Sequence, residues 1–221
     1  MSGANTKKSL NLAEIYKSVQ GETSFTGLPT TFVRLAKCNL RCHWCDTPHS
    51  FGKGKPVALQ DITAKAEEFG CKHICITGGE PLLQENVYPL MDQFCELGFI
   101  VSLETGGSIS TQRVNSRIHT ILDIKCPGSG MSDKNHWENL NRLRDHDEVK
   151  FVVKDENDYN YSLDICKKYA LFSRQKQVLL SPVHGLLDPK ELINWILRDK
   201  IPARLNLQIH KLIWPPKMLG V

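Results

Sequence analysis

The 221-residue chain reads as an α/β protein: a partial, open (β/α) TIM-like barrel of about six βα units, in a single domain. Three observations predict this. Short β-rich runs alternate with helix-like stretches, the pattern of βαβ units on a parallel sheet. The repeats fall short of the eight that close a TIM barrel. Clusters of glycine, proline and reactive side chains follow successive strands, on the rim where function gathers in such folds.

The β-rich runs lie at 31–35, 73–77, 99–104, 120–125, 149–153, 178–181 and 205–208. Helix-like stretches fall near 61–69, 87–97, 135–144, 159–169 and 189–198. Gly70 and Gly98 stand where helix C-caps are expected. Asp188 followed by Pro189 is an N-cap with proline at the first helical position. Right-handed crossovers curl such a sheet. Residues 1–11 read as a flexible extension of the one domain, 1–221.

Hydrophobic residues make up 41% and charged residues 24% of the chain, close to the average for globular proteins. The net charge of +4 comes from scattered residues and forms no basic stripe, so direct nucleic-acid binding is not expected. No apolar run approaches the ~20 residues that span a bilayer. The N-terminus has no apolar signal core, so a cytoplasmic protein is the default expectation. Eight cysteines are many for that compartment, where clustered thiols read as metal-binding or catalytic. Cys71, Cys75, Cys95 and Cys166 are dispersed and read as small buried hydrophobes.

Cys38, Cys42 and Cys45 form a CxxxCxxC loop directly after the first predicted strand. Three thiolates on one short loop can converge on one centre. An iron–sulfur cubane normally takes four, so three leave one iron open for chemistry. The alternative is a zinc knot completed by His43 or His49, since thiolates also suit zinc. The chain offers no second two-cysteine knuckle for such a site. The other rim clusters are Gly78, Gly79, Glu80 and Pro81; Glu104, Thr105, Gly106 and Gly107; Lys125, Cys126, Pro127 and Gly128; and Ser181, Pro182, Val183 and His184.

With Trp44 in the aromatic place before Cys45, the loop resembles the signature of the radical S-adenosylmethionine (SAM) superfamily. The resemblance implies a 4Fe–4S cluster on Cys38, Cys42 and Cys45 and SAM on the open iron. It also implies an adenosyl radical that takes a hydrogen atom from substrate, chemistry carried by the cofactor. The run Thr77 to Pro81 resembles the superfamily's GGE motif, in which Gly79 and Glu80 meet the methionine amino group. Further segments extend the likeness: Ser18 to Glu22, Phe25 to Gly27, Phe32 to Leu35, Cys45 to Thr47, Leu103 to Gly107 and Gln208 to Lys211. Together they resemble the 7-carboxy-7-deazaguanine synthases, from about Leu12 to the C-terminus. That resemblance implies a carbon–nitrogen lyase of queuosine biosynthesis, a pathway of tRNA modification. The substrate would be 6-carboxy-5,6,7,8-tetrahydropterin, whose ring contracts with loss of ammonia. It further implies Mg2+, an electron donor such as flavodoxin or ferredoxin, a homodimer, and no membrane partner.

By the same resemblance, Arg34 holds the substrate carboxylate, a pairing that suits a guanidinium. Val19, Gln20 and Gly21 contact the pterin partly through backbone. Thr77 and His210 lie on the substrate side, and Glu104 is a site carboxylate. Thr47 is the Mg2+ ligand, with Asp46 ranked second. Trp44, Gly79, Glu80, Asp123, Ile124, Lys125, Ser181 and Val183 face SAM. The rivals are another radical SAM enzyme, such as a glycyl-radical activase, and a zinc-stabilised RNA-binding module.

Overall fold

The computed structural model describes residues 8–174, 176–216 and 218–221. Its nine strands are β1 (Ser9–Val19), β2 (Pro29–Leu35), β3 (Lys55–Ala58), β4 (His73–Gly78), β5 (Ile100–Thr105), β6 (His119–Ile124), β7 (Glu148–Val153), β8 (Gln177–Pro182) and β9 (Arg204–Leu205). They form one sheet in the order β3-β1-β2-β4-β5-β6-β7-β8-β9. From β2 to β9 every pairing is parallel. β1 pairs antiparallel with β2 and β3. The two ends of the sheet do not pair, so the barrel is open, as the sequence predicts.

All seven predicted strands are present, although the last, expected over 205–208, keeps only Leu205 and gains Arg204. The longer helices are α1 (Leu59–Phe69), α2 (Val87–Glu96), α4 (Glu156–Lys168) and α5 (Pro189–Asp199). Gly70 caps α1 in the left-handed conformation, at φ 68°. Asp188 accepts a hydrogen bond from the Lys190 N–H at the start of α5. The helix expected over 135–144 shrinks to α3 (Glu138–Asn141). A short α6 (His210–Ile213) follows β9.

Two strands were not foreseen. β1 begins at Ser9, so the extension expected over 1–11 is corrected at Ser9 to Asn11; residues 1–7 lie outside the described residues. A register shift between Leu12 and Glu14 breaks β1's alternation. Leu10 and Leu12 face the core before it, and Ile15 packs there after it. β3 contains Pro56 at the sheet edge, where a missing N–H is tolerated.

Residues paired across a parallel ladder share a face, and faces alternate along each strand. The outer set includes Val33, Ile74, Ile76, Val101 and Leu103, packed with Ile62, Leu90, Met91 and Phe94 of α1 and α2. Farther along, Leu122, Val149, Phe151 and Leu180 pack with Tyr159, Ile165, Leu192 and Ile196 of α4 and α5. Each such side chain contributes about 1.5–3 kcal/mol on burial. The inner set is polar: Arg34 beside Thr77, Cys75 beside Ser102, and Asp123 beside Lys150.

The β1–β2 loop closes the floor of the half-barrel. Phe25 stacks on His73 at 4.3 Å and meets His119 edge-on at 4.8 Å. Its neighbours Gln20, Glu22 and Thr23 are buried.

Candidate active site

The cysteine loop leaves β2 and is locked to the loop after β4. The N–H of Gly79 donates to Leu35 O and that of Glu80 to Lys37 O, both at 2.9 Å. A Cβ on Gly79 would run into Lys37 O and Cys38 Cβ, so glycine is required there. On its other side the loop rests on residues 128–130. His43 N–H donates to Ser129 O, its Nδ1 lies 3.0 Å from Gly128 O, and its ring covers Gly130.

Cys38, Cys42 and Cys45 are free and half-buried. Burial pushes the Cys38 and Cys42 thiols up, and each also feels Cys45. Nearby Lys125 works against that rise. Three soft donors on one loop fit an iron–sulfur cluster by ligand chemistry. Among the described residues, no three His, Cys, Asp or Glu side chains are drawn together as a finished metal site. His43 Nδ1 lies against Gly128 O and His49 Nε2 lies 3.2 Å from Glu14, so each ring keeps one further nitrogen. Cys126 is buried in the outer core rather than beside the loop.

Glu80 is sealed from solvent. Its carboxylate accepts from Leu82 N–H, the Thr105 hydroxyl and Gly106 N–H at 2.8–3.0 Å. Burial nevertheless pushes its carboxyl up. Glu80 therefore ties the loop after β4 to the loop after β5. The sequence expectation that Glu80 meets a ligand ammonium adds to this role, since a carboxylate can accept more than the three groups that bind it here.

On the inner face, Arg34 Nε donates to Glu14 at 2.7 Å and Nη2 to Tyr16 at 2.8 Å. Although burial opposes it, these partners hold the guanidinium charged, while burial pushes the Tyr16 hydroxyl up to about 12. Next along the sheet, Glu104 accepts from Thr77 Oγ1 at 3.2 Å and from Gln20 Nε2 at 3.3 Å. Its carboxyl is raised, first by burial and further by Glu22, against the pull of Lys150. Glu22 goes the other way. Burial opposes its ionisation, but Lys150 at 2.9 Å and Gln208 at 2.7 Å keep it low. Asp123 shares Oδ2 with Lys125 at 3.0 Å and Lys150 at 3.6 Å, while its buried Oδ1 has no partner.

The C-terminal segment clasps this face. Asp46 is bound by Lys211 Nζ and Gln208 Nε2, both at 3.1 Å. Burial works against its ionisation, yet Lys211 holds its carboxyl at about 2. The clasp takes only Oδ2 of Asp46, whose side chain stays 45% exposed. The His210 ring lies where a Cβ on Gly21 would stand, which joins two expected substrate-side residues. Burial lowers the His210 imidazole.

Some expectations need correction. Val19 lines an outer groove of about 770 Å³ with Lys17, Phe69 and Trp214. Gln20 N–H donates to Leu28 O and Gly21 O accepts from Ile209 N–H, so those backbone groups hold the loop rather than read a ligand. Ile124 points into the outer core. Val183 is buried, with its N–H on Val153 O, and Ser181 Oγ accepts from Asn206. Thr47 Oγ1 lies 3.8 Å from Cys45 Sγ, and Trp44 is half-buried on the same turn. Glu14, Tyr16, Lys150 and Asn206 carried no sequence assignment. A charged Lys150 between Val149 and Phe151 was the available signal.

An open half-barrel with three free thiols on the loop after its first parallel strand defines the class: a radical SAM enzyme. A model of the Radical SAM superfamily matches residues 33–126, from β2 past β6. The chain is 39% identical to a 7-carboxy-7-deazaguanine synthase of Koribacter versatilis, over 96% of this chain and all of the relative. It is 42% identical to one of Haemophilus influenzae, over 92% of each. The chain belongs to the 7-carboxy-7-deazaguanine synthase family. The fold is similar to the crystal structure of QueE from Escherichia coli, with a TM-score of 0.74 at 24% identity over 90% of this chain and 94% of that one. Among the described residues no helix is long and apolar enough to cross a membrane.

Proposed function

We propose that this chain contracts 6-carboxy-5,6,7,8-tetrahydropterin to 7-carboxy-7-deazaguanine with release of ammonia, as a carbon–nitrogen lyase supplying queuosine biosynthesis. One observation carries the reading beyond family membership. The inner face sets a braced guanidinium, Arg34, on the same row as Thr77 and near the half-buried Glu104 carboxylate. A pterin acid is the complement, with an anionic carboxylate at one end and N–H donors on its ring.

Arg34 binds the substrate carboxylate in a bidentate manner, and Glu14 and Tyr16 fix its orientation. Glu104, Gln20 and Thr77 meet the pterin ring, and His210 of α6 covers it from beside Gly21 of the floor loop. Cys38, Cys42 and Cys45 hold a 4Fe–4S cluster. SAM sits among Trp44, Gly79, Asp123, Lys125 and the turn at Ser181 and Val183. The partnerless Asp123 Oδ1 is an acceptor for one of its hydroxyls. When bound, cluster and SAM supply a carbon radical that takes a hydrogen atom from the substrate. Thr47 would contribute one oxygen to Mg2+, an ion that usually keeps water and substrate oxygens as its other ligands.

The electron comes from a carrier such as flavodoxin or ferredoxin. The active species is a cytoplasmic homodimer, and exposed Leu212, Ile213 and Leu219 give it an apolar edge. The test is anaerobic reconstitution with iron and sulfide, then incubation with the pterin, SAM, Mg2+ and a low-potential reductant. Mass spectrometry is expected to register the product at the mass of the substrate minus ammonia. A colourless protein with stoichiometric zinc, or reductive SAM cleavage with the pterin untouched, overturns the assignment.

A further inference from the structure

Lys150 has no role in the reaction as described above, yet its surroundings are elaborate. Its side chain is 9% exposed. Nζ lies 2.9 Å from Glu22 on the floor loop and 3.6 Å from Asp123 on β6. Glu104 on β5 is the third carboxylate that acts on it. A buried ammonium is costly unless paired. A buried ion pair is also weak evidence for stability, since apolar replacements are often neutral or better. Three carboxylates converging on one lysine therefore call for a reason other than folding. Asp123 Oδ1, buried and without a partner, shows that the group is not arranged to satisfy itself.

We propose that Lys150 is a positioning residue of the ring contraction: it anchors Glu22 and Asp123 around the cavity and keeps Glu104 as the acceptor that meets the pterin ring. This rests on the pterin reading above. The charged and titratable groups acting on Glu104 come from the floor loop and from β2, β4 and β7, with Asp123 of β6 on the same face beside Lys150. They are Arg34 on β2, Lys150 on β7, Glu22 on the floor loop and the Cys75 thiol on β4. Lys125 is the other cation near Lys150. Of these cations, Arg34 is already held by Glu14 and Lys125 by Asp123. Lys150 alone is shared between Glu22 and Glu104. Without it, two carboxylates face each other in a poorly hydrated space, and like charges so placed retain a proton. The protonated Glu104 then presents a donor where the ring needs an acceptor.

Three variants test this. In K150M, KM for the pterin is expected to rise roughly tenfold at pH 7, and the acid limb of the rate profile to move up by about one unit. In K150R both return toward wild type. In E22Q the negative neighbour is lost and the acid limb moves down. Opposite shifts in K150M and E22Q are an outcome that a purely structural lysine does not produce.

Carboxyl 13C titration of the full chain before reconstitution gives a readout independent of turnover. The Glu104 resonance is expected to titrate higher in K150M and lower in E22Q. Wild-type KM, pH profile and Glu104 titration in K150M overturn the proposal. Shifts of the same sign in the two variants do so as well. If wild type makes no product while the Glu104 titration moves as expected, the pterin reading fails and the electrostatic coupling stands.

Discussion

The two faces of one set of strands obey different rules. On β4 to β7 the outer positions hold Ile76, Leu103, Leu122 and Phe151, and helices cover them. The alternate inner positions hold Thr77, Glu104, Asp123 and Lys150. Both faces take side chains out of water: Phe151 is 0% exposed and Lys150 8%, while Glu104 and Asp123 are half-buried. The difference lies in what burial demands. Outside, fit is a matter of volume. Inside, each charge must find its counter-charge or a ligand. Stability and chemistry are thus carried by alternate residues of the same backbone.

Substitutions can break or sharpen this division. The largest stability effect is expected on the outer face. Phe151→Ala should cost about 3–5 kcal/mol in urea unfolding through the cavity it leaves, with the pterin KM of the remaining folded enzyme unchanged. An altered KM would show that the faces are coupled.

A smaller effect comes from the floor of the inner face. His73 is hydrogen-bonded by Thr30 and Ser102 at 2.8 and 2.9 Å. Burial, with His119 nearby, lowers its imidazole to about 4. The unfolded chain binds a proton at about 6.5, and the folded chain only near 4. Stability is therefore full above about pH 6.5 and declines as pH falls toward 4, by at most about 3 kcal/mol. Melting curves between pH 7 and 5 measure it. His73→Gln should flatten the dependence, and an unflattened curve would place the titration elsewhere.

The smallest stability effect belongs to Arg34→Ala, near the exposed end of the face. It should weaken pterin binding by about 2 kcal/mol or more, roughly 30-fold in KM, while slow uncoupled SAM cleavage persists. Unchanged turnover would remove the carboxylate assignment.

The outer face was legible in the sequence because Ile74, Ile76, Val101, Leu103, Val149 and Phe151 fall in short apolar runs. Strand β1 was not, because its register shift moves Glu14 and Tyr16 inward where strict alternation would continue the Leu10 and Leu12 row. The site was legible where one segment carries the chemistry, as in the cysteine loop. It was hidden where function depends on distant pairs. Glu14 with Arg34, Glu22 with Lys150, and Asp46 with Lys211 are separated by 20, 128 and 165 positions. Glu80 was found, but its tie to Thr105 and Gly106 was not, because those partners meet it only through the packing of two rim loops.

The clasp of Gln208 and Lys211 on Asp46 and Glu22 also bears on biogenesis. Synthesis runs from the N-terminus, so the thiol segment emerges from the ribosome long before residues 206–211 can reach it. A nascent chain can build most of its barrel but cannot fasten it. Loading with iron and sulfur is therefore best suited to a chain synthesised past Lys211 and folded.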